Sequence, residues 1–455
     1  SYNNLGNLYY DTKRFNDSEA MYKSALEIRK RLATDNPKAY EPGLAFSYNN
    51  LGNLYYDTKR FNDSEAMYKS ALEIRKRLAT DNPKAYEPEL ASSYNNLGIL
   101  YCDIKRFSDS EAMHKSALEI QKRLAIDYPK AYEEDLASSY NNLGNLYYDT
   151  KRFNDSEAMY KSALEIRKRL ATDNPKAYEP ELASSYNNLG VLYNDLQRFS
   201  DSEAMYKSAL EIRKRLAVDN PKVYEPDLAT SYNNLGVLYN DLQRFSDSEA
   251  MYKSALEIRK RLAVDSPKVY EPGLATSYNN LGNLYYDTKR FNDSEIMEKS
   301  SLEILEHLSK DNPDVYESDI ATCYDKLGSI YSKMQRFTDS ETMYKLALEI
   351  RKRLSKNNPK VYDGNLADSY NNLGVLYCTI QRYTDSEAMY KLALGMRNQL
   401  ATDNPKAYEE DLASSYNNLG NLYYDTKRFN DSEAMYKSAL EIRKRLATDN
   451  PKAYE

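Results

Sequence analysis

One 46-residue sequence unit recurs ten times along the whole 455-residue chain, without insertion or deletion between copies. The phrase Ser-Tyr-Asn-Asn-Leu-Gly opens nine units, and a diverged copy that begins at Cys323 fills the remaining place. The units begin at positions 1, 47, 93, 139, 185, 231, 277, 323, 369 and 415, and the last unit is truncated. A fixed period of this length is typical of stacked helical repeats, because each repeat buries its apolar face against the next.

The repeat also predicts the domain organisation. A chain of this length would ordinarily form about three globular domains. Unbroken repetition favours instead a single elongated domain over residues 1–455. Since the chain starts and stops inside a repeat, we expect it to be a segment of a longer protein.

The first half of each unit has the apolar spacing of a helix. In the second unit, Leu51 and Tyr55 belong to a set of apolar residues three or four positions apart. Proline is tolerated in the first turn of a helix, so the pattern predicts a first helix from about Pro42 to about Thr58. Gly52 lies inside it and recurs in every unit, which indicates a closely packed neighbouring helix.

The second half of each unit predicts another helix. Residues 62–65 (Asn-Asp-Ser-Glu) have the spacing of a capping box, in which Asn62 accepts from an early backbone N–H and Glu65 reaches back. Apolar residues such as Tyr68 then continue the helix to about Ala79. The sequence Asp-Asn-Pro at 81–83 is expected to stop it.

Composition and charge argue against several classes of function. The chain carries 63 basic and 69 acidic residues in balanced repeats, without the basic face that nucleic-acid binding needs. No apolar run approaches the roughly 20 residues of a membrane span. Three cysteines and two histidines form no metal or redox motif, and no nucleotide loop or nucleophile motif appears. We therefore expect neither a cofactor nor a metal nor a catalytic site, and no nucleic-acid or membrane partner.

The residues Tyr48, Leu51, Gly52, Tyr55, Tyr68 and Ala71 resemble the signature of tetratricopeptide repeats. The lengthened unit is similar to those of kinesin light chains, nephrocystin-like proteins and bacterial multi-repeat proteins. The resemblance implies an all-α fold, a right-handed α-solenoid (superhelix) of ten helix-turn-helix repeats. Lys59 departs from the family pattern, since a turn glycine is often found there.

In this family the first helices line a concave groove, and the resemblance transfers that role to specific positions here. An amide side chain can donate and accept at once, which suits the backbone of an extended peptide. The alternative is that the paired asparagines bridge neighbouring helices, which we favour for Asn50 and leave open for Asn49. The candidate groove residues are Asn3, Asn49, Asn95, Asn141, Asn187, Asn233, Asn279, Asn371, Asn417, Asn53, Asn145, Tyr56, Tyr148, Asp57 and Asp149.

Two further patterns have simpler alternatives. An acidic position that includes Asp57 recurs in eight units and could favour a basic ligand, although a solvated face is the expected interpretation. The seventh to ninth units diverge most, as at Glu298 and Asp325, which indicates either a specific docking site or older copies. Five sequons overlap the helix-start position, where capping explains all ten units better than N-glycosylation does: Asn16, Asn62, Asn154, Asn292 and Asn430.

The sequence thus predicts a non-enzymatic scaffold that binds an extended peptide or a partner surface in the groove. Near-identical repeats also suit an alternative, a structural spacer or a fibre that self-associates end to end. Few, unpaired cysteines favour a cytoplasmic location, or an extracellular one for the fibre. The identity of the partner does not follow from the sequence.

Overall fold

A computed structural model describes residues 2–449, which form twenty α-helices and no strands. The predicted start of the first repeat at position 1 and the predicted tail of the last repeat at 450–455 lie outside the described residues. The all-α fold class is therefore confirmed. No helix in residues 2–449 contains an apolar stretch long enough to cross a membrane.

The helices fall into two compact units, divided at Pro221. The first unit contains α1 (Tyr2–Asp11), α2 (Phe15–Asp35), α3 (Pro37–Asp57), α4 (Phe61–Asp81), α5 (Pro83–Asp103), α6 (Phe107–Asp127), α7 (Pro129–Asp149), α8 (Phe153–Asp173), α9 (Pro175–Asp195) and α10 (Phe199–Asp219). The second contains α11 (Pro221–Asp241), α12 (Phe245–Asp265), α13 (Pro267–Asp287), α14 (Phe291–Ser309), α15 (Pro313–Lys333), α16 (Phe337–Asn357), α17 (Pro359–Thr379), α18 (Tyr383–Asp403), α19 (Pro405–Asp425) and α20 (Phe429–Asp449). Within each unit consecutive helices pack side by side, as in an α-solenoid.

We call the odd-numbered helices A helices and the even-numbered ones B helices. The predicted start of the A helix was wrong by five residues, since α3 begins at Pro37 and not at Pro42. Asn36 adopts an extended backbone and accepts from the Ala39 N–H (3.4 Å), so Pro37 takes the favourable first helical position. The added turn is held against α4 by an ion pair between Glu41 and Arg77 (2.8 Å), which helps to offset the hydrogen bond that Pro42 lacks.

The A-to-B turn explains why a glycine is common there in the family. Lys59 has φ of 60°, and the nine equivalent Lys or Gln residues also have positive φ. The Arg60 N–H donates to the Tyr55 carbonyl (2.8 Å) and the Lys59 N–H to the Tyr56 carbonyl (3.0 Å), which is a Schellman motif. A side chain in this left-handed conformation costs about 1 kcal/mol.

The predicted capping box at residues 62–65 is wrong. Helix α4 begins at Phe61 with Arg60 as its N-cap, and no side chain caps it. Asn62 therefore lies inside the first turn, as do the other sequon asparagines at their helices, and its side chain is exposed. Arg60 instead forms an ion pair with Asp63 (2.8 Å) across the start of the helix. Glu65 turns away from the helix start because it has other partners, described below.

Each A helix contacts the following B helix at the recurrent glycine. A Cβ atom added at Gly52 would lie 2.6 Å from the Tyr68 ring, so a larger residue would separate the helices. The same approach lets buried Ser64 donate to the Gly52 carbonyl (2.9 Å). The prediction of a closely packed neighbour at this glycine is confirmed. Leucines such as Leu54 and Leu100, at most 1% exposed, form the core beside this contact.

Two glycines in the same repeat provide a matched test of this packing. A Cβ atom at Gly374 would lie 2.6 Å from Tyr390, whereas Gly395 is exposed and has nothing within 4 Å. We predict that Gly374→Ala destabilises the protein by roughly 1–3 kcal/mol through overpacking. Gly395→Ala should stabilise it by up to about 1 kcal/mol through helix propensity. Guanidinium unfolding of both variants measures this, and equal shifts of the two midpoints would contradict the packing argument.

Candidate functional site

The predicted groove asparagines lie on one face of the A helices, and four of them accept a hydrogen bond from the adjacent asparagine position of the next repeat. Asn96 donates its amide to the Oδ1 atom of Asn49 in the preceding repeat (2.9 Å), and Asn188 donates to Asn141 in the same way (2.8 Å). Equivalent bonds join Asn280 to Asn233 (2.8 Å) and Asn418 to Asn371 (2.9 Å). We call these bonds the asparagine ladder. The second asparagine of each pair thus bridges neighbouring repeats, as favoured for Asn50 from the sequence.

Several members of the asparagine set have other partners. Buried Asn3 accepts from Arg29 Nη1 (2.7 Å), and the Asn95 amide lies between Ser139 (3.3 Å) and His114 (3.2 Å). Asn279 accepts from the Lys326 ammonium (2.7 Å). The remaining two, Asn187 and Asn417, occupy the same half-buried place on their helices.

The asparagines at the Asn53 position, which include Asn145, bond to buried residues of the core. The Tyr68 hydroxyl donates to Asn53 Oδ1 (2.8 Å), and the Tyr160 hydroxyl donates to Asn145 Oδ1 (2.7 Å). These tyrosines are the buried residues that pack on the recurrent glycine. Asn53 therefore satisfies a buried hydroxyl, which sequence reasoning had not assigned to it.

Tyrosine and aspartate on the same face form a second link between A helices. The Tyr10 hydroxyl donates to Asp57, Tyr56 to Asp103 and Tyr148 to Asp195. Where the tyrosine is replaced, the Cys102 thiol lies 3.5 Å from Asp149. Burial, then the bond to Asp195, raises the pKa of Tyr148 to about 12, so this hydroxyl stays a donor. The aspartates in these pairs are exposed, in line with the solvated face expected from the sequence, and each also accepts a hydrogen bond from the preceding repeat.

The B helices reach the next repeat through a carboxylate that sequence reasoning placed in a capping box. Glu65 Oε1 accepts from Tyr101 (3.0 Å) and Arg106 (2.9 Å) of the following repeat and from Lys69 (2.7 Å) of its own helix. Burial alone would raise the pKa of Glu65, but these three hydrogen bonds hold the pKa below its ordinary value. We call this arrangement the glutamate clamp. It recurs at Glu19, Glu111, Glu157, Glu249, Glu295, Glu341 and Glu387.

A buried arginine forms a third link that the sequence analysis missed. Arg75 is 7% exposed and donates to Ser93 Oγ (2.6 Å) and to the Glu89 carbonyl (3.2 Å) of the next A helix. Burial lowers the pKa of its guanidinium. Ser93 opens the repeated Ser-Tyr-Asn-Asn-Leu-Gly phrase, so the invariant serine in the nine regular copies was the signal for a buried donor.

The pattern breaks at the junction of the seventh and eighth repeats. Glu298 replaces the core tyrosine opposite Gly282 and is 1% exposed, and Asp325 replaces the ladder asparagine and is 8% exposed. Burial raises the pKa of Glu298 to about 7 against the nearby Lys326 cation, and raises that of Asp325 to about 6 against the Arg351 cation. Across residues 2–449 no three His, Cys, Asp or Glu side chains meet closely enough to hold a metal ion.

The repeated helix pair and its conserved faces define the α-solenoid class of repeat proteins. The family model of the tetratricopeptide repeat matches residues 1–77, 43–123, 89–169, 135–215, 181–261, 227–307, 319–399 and 365–445. The chain therefore belongs to the tetratricopeptide repeat family, as its residues indicated. Membership of this family indicates a protein-interaction scaffold. No curated protein matches the sequence.

Solved structures share the fold at low sequence identity. Aspartyl phosphate phosphatase F from Bacillus subtilis is 14% identical over 88% of this chain and 94% of that one, with a TM-score of 0.51. A signal transduction ATPase with numerous domains and a tetratricopeptide repeat sensor, from Pyrococcus horikoshii, is 12% identical over 86% of this chain and 55% of that one, with a TM-score of 0.52. BtubC from P. vanneervenii is 27% identical over 55% of this chain and 92% of that one, with a TM-score of 0.46.

The buried Glu298 makes stability depend on pH. Its folded pKa of about 7 lies above the ordinary 4.5, so the folded state holds a proton that the unfolded state releases between these values. Stability due to this group therefore falls as the pH rises from about 4.5 to 7. We predict that Glu298→Gln, which mimics the protonated acid, stabilises the protein by roughly 2–3 kcal/mol at pH 8 and by little near pH 4.5.

Thermal unfolding of the variant and the wild type at each pH measures this difference. His114 has a pKa lowered to about 4 by burial and gives an opposite trend, but it is present in both proteins and cancels. Glu303→Gln, at an exposed position of the same helix, is the control. A stability difference that stays constant between pH 4.5 and pH 8 would contradict the assignment.

Proposed function

We propose that this chain is a non-enzymatic scaffold that docks an extended peptide, or an extended segment of a partner, on the A-helix face. The proposal rests on a difference between the two polar atoms of each accepting ladder amide, since the oxygen is hydrogen-bonded within the described residues and the nitrogen is not. The Oδ1 atoms of Asn49, Asn141 and Asn371 each accept a hydrogen bond from the next repeat. In the part of the chain that the structure describes, their Nδ2 groups have no partner.

This arrangement favours a particular mode of recognition. Each of these amides keeps two N–H donors, which suit the carbonyl groups of an extended backbone. The interlocked oxygens hold the side chains in one orientation before any ligand arrives, which reduces the entropy lost on binding. The proposed contact is therefore donation to peptide carbonyls, in place of the paired donation and acceptance expected from sequence alone.

The near-identity of the repeats determines the binding affinity that we expect. A uniform row of donors reads the backbone and offers few distinct pockets for side chains. Each contact would then be weak, and affinity would come from many repeats engaging one ligand. We expect affinity to rise steeply with peptide length for this reason.

Substitution of the ladder asparagines by aspartate tests the proposal. Aspartate keeps an oxygen that accepts from the neighbouring asparagine but removes the N–H donors, and Asp325 already occupies the equivalent position naturally. We predict that the triple variant Asn49→Asp, Asn141→Asp, Asn371→Asp weakens binding at least about tenfold, since three hydrogen bonds of about 1 kcal/mol are lost. The ligands are uncharged extended peptides selected on the wild-type protein from a display library, measured by fluorescence polarisation.

A second triple variant controls for the added charge. Asn62→Asp, Asn154→Asp and Asn292→Asp introduce the same three charges at exposed positions in the first turns of B helices. This control should bind as the wild type does, with unchanged helicity in both variants. Equal affinity of the two triple variants would exclude the ladder as the docking surface. A selection that enriches no peptide would favour the structural spacer or end-to-end fibre, which sedimentation velocity over a range of concentrations would then show.

A further inference from the structure

A cavity of about 240 Å³ lies between α13, α14 and α15, where the repeat pattern breaks. Its walls include Asn283, Glu298, Asp325, Lys326 and Ser329. A smaller cavity of about 200 Å³ occupies the equivalent place in the second repeat, but there the wall is an aromatic ring, Tyr68. Glu298 thus replaces an aromatic wall with a carboxylate. Among the ten repeats, only the seventh has an acidic residue at this position.

The Glu298 carboxylate is short of hydrogen-bond donors. Its side chain is 1% exposed, and neither oxygen has a partner at hydrogen-bond geometry among the described residues, although Cys323 and Lys326 lie close enough to lower its pKa. The closest cation is Lys326, whose Nζ atom lies 3.7 Å from Oε1, outside hydrogen-bond distance. That ammonium donates instead to Asn279 (2.7 Å). Glu298 lines the cavity, and both of its oxygens therefore lack a donor at hydrogen-bond geometry among the described residues.

Asp325 adds a third unsatisfied oxygen to the same cavity. Its Oδ2 atom pairs with Arg351 (2.5 Å), and a hydrogen bond from the Asn372 side chain also lowers the pKa of this carboxyl, whereas Oδ1 has no partner at hydrogen-bond geometry among the described residues. A buried carboxylate oxygen without a donor costs free energy, and most buried polar atoms in native proteins are hydrogen-bonded. Three such oxygens from two residues around one cavity indicate that the donors come from outside the chain.

The electrostatics also favour a cation. Lys326 and Arg351 face the two acids from α15 and α16, and the Cys323 thiol is the other titratable group near Glu298. Despite these two cations, burial keeps the pKa of Glu298 and of Asp325 above their ordinary values. The resident cations therefore do not fully stabilise the charged carboxylates, and a further cation with several donors would do so.

We propose that this cavity binds the guanidinium group of an arginine side chain, through Glu298 and Asp325. A guanidinium presents five N–H donors in a planar fork and pairs with carboxylates bidentately. The cavity is smaller than the roughly 300–1,000 Å³ of small-molecule sites, so it suits one inserted side chain. Because Asn283 and Tyr286 of the A-helix face also line it, the site deepens the proposed function and rests on it for the source of the arginine.

Binding of a short peptide tests the site directly. The probe is the tripeptide N-acetyl-Gly-Arg-Gly-amide, and its partner probe carries citrulline, which has the shape of arginine without the charge. By isothermal titration at pH 7.5, we expect the arginine tripeptide to bind the full chain at least about tenfold more tightly than the citrulline tripeptide. A tripeptide is too short to engage several repeats, so this result does not depend on the asparagine ladder.

Two variants remove the site by restoring the residues that other repeats have at these positions. We expect both variants to fold. Glu298→Tyr returns the core tyrosine and removes the carboxylate, and Asp325→Asn returns the ladder asparagine. We expect Glu298→Tyr to abolish binding of the arginine tripeptide and Asp325→Asn to weaken it about tenfold. Glu303→Gln removes an exposed charge from the same helix and should leave the affinity unchanged.

Three outcomes would overturn the proposal. These are equal affinity for both tripeptides, unchanged affinity in Glu298→Tyr with retained helicity, and no binding of the arginine tripeptide at about 10 mM. The proposed function fails separately, if the ladder variants bind the selected peptides as well as their control does. Failure of one test therefore leaves the other interpretable.

Discussion

The glutamate clamp is the interaction on which the regularity of each compact unit depends. Glu65 sits on a B helix, while Tyr101 and Arg106 belong to the next A helix and the turn after it. Because these partners lie 36 and 41 residues away, one inserted residue would place an unsuitable side chain opposite the carboxylate. The clamp therefore helps to account for a 46-residue period without insertions, together with the close packing of Gly52 on Tyr68. Its carboxylate also orients Arg106, whose guanidinium lies 4.3 Å from the centre of the Tyr101 ring.

Most polar side chains on the A-helix face serve the protein itself. The ladder amides, the Tyr–Asp pairs and the Asn53 type of contact join neighbouring helices. The exception is the junction of the seventh and eighth repeats, where Glu298 and Asp325 leave buried oxygens unsatisfied. Under the proposed function, a segment would bind weakly along the nearly uniform surface, and the polar cavity at this junction would fix its register at one side chain.

Much of the fold follows from the sequence alone, and the misses have physical causes. Apolar spacing identified two helices per repeat, and the recurrent Gly52 correctly indicated close helix contact, because both depend on local packing. Glu65 was misassigned because a capping box and a contact to the next repeat use the same residue at the same spacing. The A helix began earlier than predicted because packing outweighed the preference of Pro42 for a helix start. The unsatisfied oxygens of Glu298 could not be foreseen, since burial is a property of three helices together.

A double-mutant cycle between Glu65 and Tyr101 measures the strength of the glutamate clamp. Tyr101→Phe removes one hydroxyl, Glu65→Ala removes the carboxylate, and guanidinium unfolding gives the free energy of each variant and of the double variant. We predict a favourable coupling of about 1 kcal/mol or more, since the hydroxyl donates to a charged, partly buried acceptor. Additivity of the two substitutions within about 0.3 kcal/mol would contradict it, and would mean that the glutamate clamp does not hold the repeats in register.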